Sequence, residues 1–197
     1  MKITLIRHSQ TEGNEKRQYI GSTDEPLSKN GIAHAKSIGM LEHIKHVYTS
    51  PMKRAIETAK ICFPHAIMKR IEDLKEIDFG DFEGRTADEM QNNHLYRRWV
   101  YENCETACPN GEDPTMFKLR VKSAFLFVVE DALTNNLNEI AIVAHGGTIM
   151  TIMSAFAGKS DCIYDWHVPN CGGYKILIDA DHWNENMLFS NITSFNL

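Results

Sequence analysis

The chain has 197 residues, of which 43% are hydrophobic and 24% are charged, and its net charge at pH 7 is −5. This length suits one domain with a sizeable core, so we expect residues 1–197 to form a single domain. The negative net charge gives no electrostatic reason to expect nucleic acid as a partner. A membrane is not an expected partner either, because His145-Gly146-Gly147 interrupts the long apolar stretch Ala141–Ala157.

The cysteines and the first residues of the chain indicate a cytoplasmic protein. The five cysteines are an odd number without the spacing of a disulfide framework, and the apolar run after Met1-Lys2 is too short for a signal peptide. Reduced thiols in a cytoplasm are the simplest explanation. The cysteines have too few further ligands nearby for zinc, so we expect no metal there. We also expect no other cofactor. We expect a monomer or a homodimer.

The first part of the chain alternates apolar runs with segments of helical spacing. Ile3–Ile6, Val47–Thr49 and Ala66–Ile71 are typical of short buried strands. Ser28 suits the N-cap of a helix, and Ser50-Pro51 suits the start of a second helix with proline in its first turn. This alternation predicts an α/β fold, a three-layer α/β/α sandwich with a mostly parallel sheet.

Residues 78–112 break this alternation, and we expect them to form an insertion of loops and short helices that covers the ends of the strands. A long amphipathic helix, a strand, a helix and two further strands follow, the last of them antiparallel at the sheet edge. The residues expected in these elements are Phe117–Ala132, Ile140–Ala144, Thr148–Ala157, Gly173–Asp179 and Met187–Thr193.

Two of the predicted strands end in histidine. Arg7-His8 follows the first strand, and His145-Gly146-Gly147 follows the strand over Ile140–Ala144. Ligands of open α/β sheets bind outside the carboxyl ends of the strands, so we expect the two imidazoles to share one pocket. A single histidine after a strand is more often a capped or solvated residue, but two such histidines in one domain favour a functional site.

The side chains around His8 are hydrogen-bond donors, which suits a phosphate group. Arg7 offers a planar fork that matches two phosphate oxygens, and Thr11 and Asn14 add neutral donors. Arg54 lies in the second predicted helix, whose N-terminus attracts anions. The glycine amides after the second histidine add further donors, so the pattern predicts a site for a small phosphate ester.

A neutral imidazole in such a pocket can attack phosphorus and form a phosphohistidine, and His8 is the candidate nucleophile. The leaving alkoxide then needs a proton, which a carboxylic acid supplies. Glu76 is the candidate acid, since it lies where the insertion starts and repulsion from a phosphate dianion would keep it protonated to higher pH. Spacing alone would make Glu76 a solvated surface charge. Glu83 and Glu112 are the next candidate acids.

These residues resemble the motifs of the histidine phosphatase superfamily, in its phosphoglycerate mutase-like branch. The family's Arg-His-Gly-x-Thr-x-x-Asn is similar to Arg7–Asn14, and the resemblance continues in order along nearly the whole chain. The other segments that carry it are Gly21–Gly31, Ser50–Ala59, Leu74–Gly84, Pro109–Glu112 and His145–Gly147. The resemblance implies phosphate ester chemistry without a metal ion.

Carried over residue by residue, the resemblance implies His8 as the nucleophile and Glu76 as the proton donor. The residues that it places around the phosphoryl group or the substrate are Arg7, Thr11, Asn14, Gly21, Arg54, His145 and Gly146. Two positions depart from the family pattern. Ser9 replaces a glycine, which would strain a backbone with positive φ or add a hydroxyl donor to the pocket. Asp113 replaces a residue that is often small, which would alter substrate selection.

The resemblance favours a phosphatase over a cofactor-dependent phosphoglycerate mutase, because a mutase needs a second anion site and the insertion has few basic residues. The segment Tyr19–Leu27 and the chain length resemble bacterial α-ribazole phosphatases of cobalamin synthesis. Aromatic residues of the insertion would then stack on a benzimidazole, unless they form a small core of their own. A broad-specificity phosphomonoesterase and a catalytically silent module that binds phosphorylated ligands are the alternatives.

Overall fold

The computed structural model describes residues 1–158 and 162–195. Six strands form one mixed sheet in the order β3-β2-β4-β1-β5-β6. The strands are β1 (Lys2–Arg7), β2 (His46–Thr49), β3 (Ile67–Arg70), β4 (Glu139–Ala144), β5 (Gly173–Leu177) and β6 (Asn191–Phe195). The predicted α/β class is confirmed, and each predicted strand overlaps an observed one.

The register of the sheet sets the position of the two histidines. The four strands from β3 to β1 are parallel, and the register pairs Arg7 of β1 with Ala144 of β4. His8 and His145 therefore leave the sheet side by side at its carboxyl edge. The edge strand β6 pairs antiparallel with β5, as predicted, but β5 itself is the strand that runs against the other five.

Helices cover both faces of the sheet, which confirms the predicted three-layer sandwich. On one face, α3 (Lys53–Cys62) packs on the sheet with α2 (Lys29–Ser37) beside it. The other face carries α6 (Pro114–Thr134), α7 (Gly146–Phe156) and α8 (Ala180–Asn186). The shorter helices are α1 (Glu12–Glu15), α4 (Ala87–Met90) and α5 (His94–Tyr101). No helix in the described ranges is both long and apolar enough to cross a membrane.

Alternating side chains of the central strands fill a core on each face. On β4, Ile140 and Ile142 pack into the core of α6 and α7, whereas Ala141 and Val143 pack into the core of α3. All four are fully buried, as expected for a parallel strand covered on both faces. The two histidines of the site directly follow the carboxyl ends of these strands, outside the apolar core.

Two helices begin at different residues from those predicted. α3 begins at Lys53 rather than at Ser50-Pro51, because the N–H of Ser50 still donates to the Val143 carbonyl in the manner of a strand. α7 begins at Gly146 rather than at Thr148. Glycine has low helix propensity, so the sequence gives no signal for a helix start at this position.

Residues 78–112 contain a 3-10 turn, α4, α5 and loops, in agreement with the predicted loops and short helices. Their apolar side chains form a separate cluster. Its buried members are Phe82, Met90, Tyr96, Trp99 and Cys108. The aromatic residues of this segment therefore pack on one another, which was one of the two possibilities that the sequence left open.

Candidate active site

His8 is buried at the carboxyl edge of the sheet, directly after β1. Its Nδ1 lies 2.6 Å from the carbonyl oxygen of Ser9, and a carbonyl oxygen can only accept, so Nδ1 carries the proton. The lone pair of the neutral ring is therefore on Nε2. Burial, Arg54 and Arg7 all disfavour the imidazolium and hold the pKa of His8 well below its ordinary value.

His145 lies beside His8, with the ring centroids 5.1 Å apart, and it has the opposite tautomer. Nε of Arg54 donates to Nδ1 of His145 at 3.2 Å, so the proton is on Nε2, 2.8 Å from Oγ of Ser50. Burial and Arg54 also lower the pKa of His145 well below its ordinary value. Both ring nitrogens have protein partners here, so a phosphoryl oxygen would have to replace Ser50. The sequence did not indicate Ser50 as a site residue.

Arg54 is fully buried in the first turn of α3, and two backbone carbonyls fix its guanidinium. Nη1 donates to the carbonyl of Thr23 at 2.7 Å, and Nη2 donates to that of Gly21 at 2.8 Å. With the bond to His145, three of the five N–H groups are used, and two have no partner within the described ranges and can donate to an anion.

The carboxylate of Glu83 fixes the loop that holds Arg54. It accepts hydrogen bonds from the amides of Gly21 and Ser22 at 2.9 Å, from the Thr23 hydroxyl at 2.6 Å, and from an amide of the 78–112 segment. Gly21 was expected beside the substrate, but its amide is bonded to Glu83 and its carbonyl to Arg54. Glu83, named from the sequence as a reserve acid, instead holds this loop in place.

Arg7, the last residue of β1, donates from Nη1 to the Val168 carbonyl at 2.8 Å. Its Nε is buried and has no hydrogen-bond partner among the described residues. An unpaired buried donor costs about 1–3 kcal/mol, which an anion would remove. Gly146 packs against the guanidinium, since a Cβ at this position would lie 3.5 Å from Cζ of Arg7.

Glu76 is a partly buried carboxyl that two backbone amides hold. Oε2 accepts from the amide of Gly147 at 2.8 Å, and Oε1 accepts from the amide of Ile77 at 3.0 Å. Burial raises the pKa of Glu76, against the opposing effects of these amides and of Arg54 and Arg7. A Cβ at Gly147 would lie 2.4 Å from Oε1, so any larger residue there would displace the Glu76 carboxyl. The Gly147 amide, expected to bind phosphate, instead holds the candidate acid.

Arg120 of α6 fixes the segment that carries Glu76. It donates to the carbonyls of Asp73 and Lys75 at 2.9 Å and to that of Glu76 at 3.1 Å. It also forms a bidentate pair with Glu112, with N–O distances of 2.6 and 2.8 Å. Glu112 is therefore committed to Arg120 and is not a spare acid. Sequence reasoning did not find Arg120.

Thr11 and Asn14 together form the N-terminal cap of α1. The amide of Asn14 donates to Oγ1 of Thr11 at 3.2 Å, and Oδ1 of Asn14 accepts from the amide of Thr11 and from Nδ2 of Asn170, both at 3.3 Å. Oδ1 of Asn14 is thus used within the protein. Its Nδ2 has no protein partner in the ranges that the structure describes, so this group is free to donate to a ligand.

The two departures from the family pattern have local explanations. Ser9 does not have a positive φ, and its hydroxyl donates to the Gly31 carbonyl at 2.8 Å. The amide of Ser9 donates to Oγ1 of Thr58 at 2.9 Å. Ser9 is therefore neither strained nor a donor to the pocket. Asp113 is the N-cap of α6 and accepts from the amide of Thr115 at 2.7 Å, so it stabilises a helix.

A cavity of about 320 Å³ opens beside the candidate acid. Glu76 and Gly147 form part of its wall, and most of the remainder is apolar. Its aromatic lining comes from Tyr19, Phe79, Trp99, Phe117 and Tyr164. The aromatic residues of the 78–112 segment therefore have two roles, since they form a core and also present one of its surfaces to a cavity.

The structure brings five predicted residues to one place: two neutral imidazoles, two guanidinium groups and a carboxyl with a raised pKa. These residues are His8, His145, Arg7, Arg54 and Glu76. Within the described ranges, no three His, Cys, Asp or Glu side chains are grouped so that they could hold a metal ion. The arrangement offers a nucleophile, donors for an anion, and an acid.

Residues 3–191 match the family described as the histidine phosphatase superfamily, branch 1. The chain belongs to this superfamily. The match covers nearly the whole chain and confirms the family inferred from the motifs. It makes the protein a phosphoric monoester hydrolase by family.

Several phosphatases are similar to this histidine phosphatase over most of their length. The uncharacterized phosphatase PhoE of Bacillus subtilis is 32% identical and covers 92% of this chain and 90% of its own. Phosphoserine phosphatase 1 of Hydrogenobacter thermophilus is 29% identical, with coverage of 80% and 77%. The crystal structure of the α-ribazole phosphatase from Shigella flexneri matches with a TM-score of 0.79 at 25% identity, covering 91% of this chain and 92% of its own. Two of these names give different substrates and PhoE is uncharacterized, so the shared fold leaves the substrate open.

Proposed function

We propose that this phosphatase hydrolyses a small phosphate monoester through a phosphohistidine formed at Nε2 of His8. The proposal depends on the tautomer of His8. The Ser9 carbonyl holds the proton on Nδ1, which leaves the Nε2 lone pair in a pocket with the guanidinium groups of Arg7 and Arg54. A neutral imidazole beside two cations suits attack on an anionic phosphate ester.

In the first step, Nε2 of His8 bonds to phosphorus and the bond between phosphorus and the ester oxygen breaks. The raised pKa of Glu76 lets it carry the proton that passes to the leaving oxygen. In the second step, the Glu76 carboxylate takes a proton from water, whose oxygen attacks phosphorus. The bond to His8 then breaks and inorganic phosphate leaves.

The phosphoryl charge is held in this proposal by Arg7, Arg54, Asn14 and His145. Arg7 offers a buried Nε without a partner in the described residues, and Arg54 offers its two unused N–H groups. Thr11 caps α1 and thereby positions Asn14, and Gly146 lets Arg7 pack closely. These cationic donors stabilise the transition state in the way a metal ion does in other phosphoryl transferases, so we propose that neither a metal nor another cofactor is required.

A phosphatase fits this site better than the two alternative functions. A mutase must also hold a second phosphate, and among the described residues the cavity beside Glu76 offers one cation, Lys118, together with the carboxylate of Glu105. A silent binding module would need neither a free nucleophile at His8 nor an acid at Glu76. A broad-specificity phosphatase is the second candidate, because the cavity is not fully enclosed.

For the physiological substrate, α-ribazole 5′-phosphate of cobalamin synthesis is the first compound to test. The name of the Shigella relative and the aromatic lining of the cavity support it. We further propose that residues 1–197 act as one domain, with 78–112 covering the site, as a monomer or homodimer without nucleic-acid or membrane partners. The five free cysteines support a cytoplasmic location.

Trapping the phosphoenzyme tests the mechanism. We expect wild-type protein mixed with labelled p-nitrophenyl phosphate to carry acid-labile, base-stable phosphate on His8. His8→Ala should lose this label and several orders of magnitude in kcat, whereas His65→Ala, at an exposed histidine, should keep both. Near-normal turnover by His8→Ala would exclude the covalent route. A panel with α-ribazole 5′-phosphate, 3-phosphoglycerate, phosphoserine and sugar phosphates then ranks substrates.

A further inference from the structure

We propose that the cavity beside Glu76 is a leaving-group subsite that selects phosphate esters of uncharged alcohols with a flat, aromatic body. The proposal rests on the proposed function, because the acid must lie next to the leaving oxygen. Glu76 and Gly147 line the cavity, whereas Arg7 and Arg54 do not. An ester whose phosphate lies between these arginines and whose oxygen meets Glu76 therefore extends its alcohol part into the cavity.

The aromatic wall of the cavity has few polar groups free to bind a ligand, because the polar atoms of its side chains are hydrogen-bonded to other protein groups. The indole N–H of Trp99 donates to the Thr106 carbonyl at 3.0 Å, and the Tyr19 hydroxyl is 2.9 Å from that of Tyr96. The Tyr19 ring meets those of Phe79 and Trp99 edge to face, at centroid distances of 5.3 and 5.6 Å. This wall is preorganised and apolar, which favours an aromatic occupant.

The charged groups that the described residues place on the cavity walls give no excess of positive charge. Lys118 is half-buried and Glu105 is exposed, and Glu76 adds a second carboxyl. A leaving group that bears a carboxylate or a second phosphate would thus meet one ammonium group, one carboxylate and the protonated carboxyl of Glu76. The cavity therefore disfavours 3-phosphoglycerate relative to an ester of an uncharged alcohol.

One buried hydroxyl indicates where a neutral polar group of the alcohol would bind. Thr151 lies on α7, four residues after Gly147, and it lines the same cavity. Its Oγ1 is buried and has no hydrogen-bond partner in the described part of the chain. A hydroxyl or ring nitrogen of the substrate would satisfy this group, which adds a polar contact to an otherwise apolar surface.

Binding of phosphonates tests the subsite without any turnover. We expect 2-phenylethylphosphonate to bind about 10- to 100-fold more tightly than ethylphosphonate, because burying a phenyl group in an apolar cavity is favourable by that factor. Isothermal titration calorimetry should also give a more negative heat-capacity change for the phenyl compound. Equal affinities for the two phosphonates would overturn the proposal.

Steady-state kinetics test the same preference in catalysis. 2-Phenylethyl phosphate should exceed ethyl phosphate in kcat/KM by a similar factor, and it should also exceed 3-phosphoglycerate and phosphoserine. Met150→Lys places a cation on the cavity wall and should narrow the gap to 3-phosphoglycerate, whereas Met116→Lys, at an exposed position outside the cavity, should not. A wild-type preference for phosphoserine or 3-phosphoglycerate would refute the subsite. Absence of phospho-His8 with the phosphonate preference intact would instead refute only the mechanism.

Discussion

Glu76→Gln separates the proton-donating role of this residue from its structural role. The amide oxygen can accept from the amide of Gly147 or of Ile77, but its NH2 group then faces the other donor. Losing that hydrogen bond and burying a donor without an acceptor costs about 1–3 kcal/mol of stability. A natural domain has about 5–15 kcal/mol, so the variant should fold with a lowered Tm.

Glu76→Gln should raise the activation free energy of the reaction by more than it lowers the free energy of unfolding. A missing general acid slows a reaction by about 10²–10⁴-fold, which corresponds to about 3–5 kcal/mol of activation free energy. This deficit is expected for alkyl phosphates, whose alkoxide leaves poorly without a proton. For p-nitrophenyl phosphate the formation step should lose far less, because nitrophenolate leaves unprotonated. Since Glu76 also activates water in the second step, a pre-steady-state burst of nitrophenol should appear.

Quenched-flow measurements test whether Glu76 is the general acid. They compare the single-turnover rate for an alkyl phosphate with that for p-nitrophenyl phosphate. Glu130→Gln, the same change at an exposed position of α6, is the control and should leave both rates unchanged. An equal fall of both formation rates in Glu76→Gln would refute the acid assignment. Glu83 and Glu112 would not be the replacements, because their oxygens are already bonded within the protein.

Three further results are expected. Activity should survive EDTA and be inhibited by vanadate, which adopts the geometry of the reacting phosphorus; activity restored only by Mg²⁺ or Zn²⁺ would contradict this. Arg120→Lys should lower kcat for alkyl phosphates about 10-fold while sparing p-nitrophenyl phosphate and KM, because it loosens the Glu76 segment; equal losses for both substrates would indicate a general defect instead. The pKa values of His8 and His145 are lowered on folding, so the unfolded chain binds more protons below 6.5. Urea unfolding should therefore show that the free energy of unfolding falls as the pH is lowered below 6.5, by about 1.4 kcal/mol per pH unit for each histidine. A flat profile would refute the buried neutral state.

The sheet and the meeting of the two histidines could be predicted from the sequence for a physical reason. A central parallel strand is buried on both faces, so Ile140–Ala144 is a continuous apolar run that is easily recognised. Parallel strands also end at the same edge, which brings together His8 and His145 although they lie far apart in the chain. The start of α7 was predicted two residues too late, because glycine at 146 gives no helical signal.

The supports of the site could not be predicted, because they act through backbone groups. Arg120 binds three carbonyls between Asp73 and Glu76, and a carbonyl has no signature in the sequence. Residue type identified Glu83 and Glu112 as carboxyl groups, but only the fold reveals the donors around them. The direction of the Gly147 amide depends on where α7 begins, which the sequence does not reveal. This amide was therefore expected to bind phosphate, whereas it donates to Glu76.

Glu83 connects the segment that shapes the cavity to the loop that orients Arg54, so changes in substrate range and in phosphate binding are not independent. It belongs to the segment that shapes the cavity, yet its oxygens hold the loop whose carbonyls orient Arg54. A chimera that replaces all of 78–112 with the segment of a relative would therefore alter the phosphate end as well. Junctions placed between Glu83 and α4 and again after Cys108 would keep that loop and the Glu112–Arg120 pair in position. They would exchange only the part of the cavity wall that runs from Trp99 to Cys108, so the molecule divides most naturally just after Glu83.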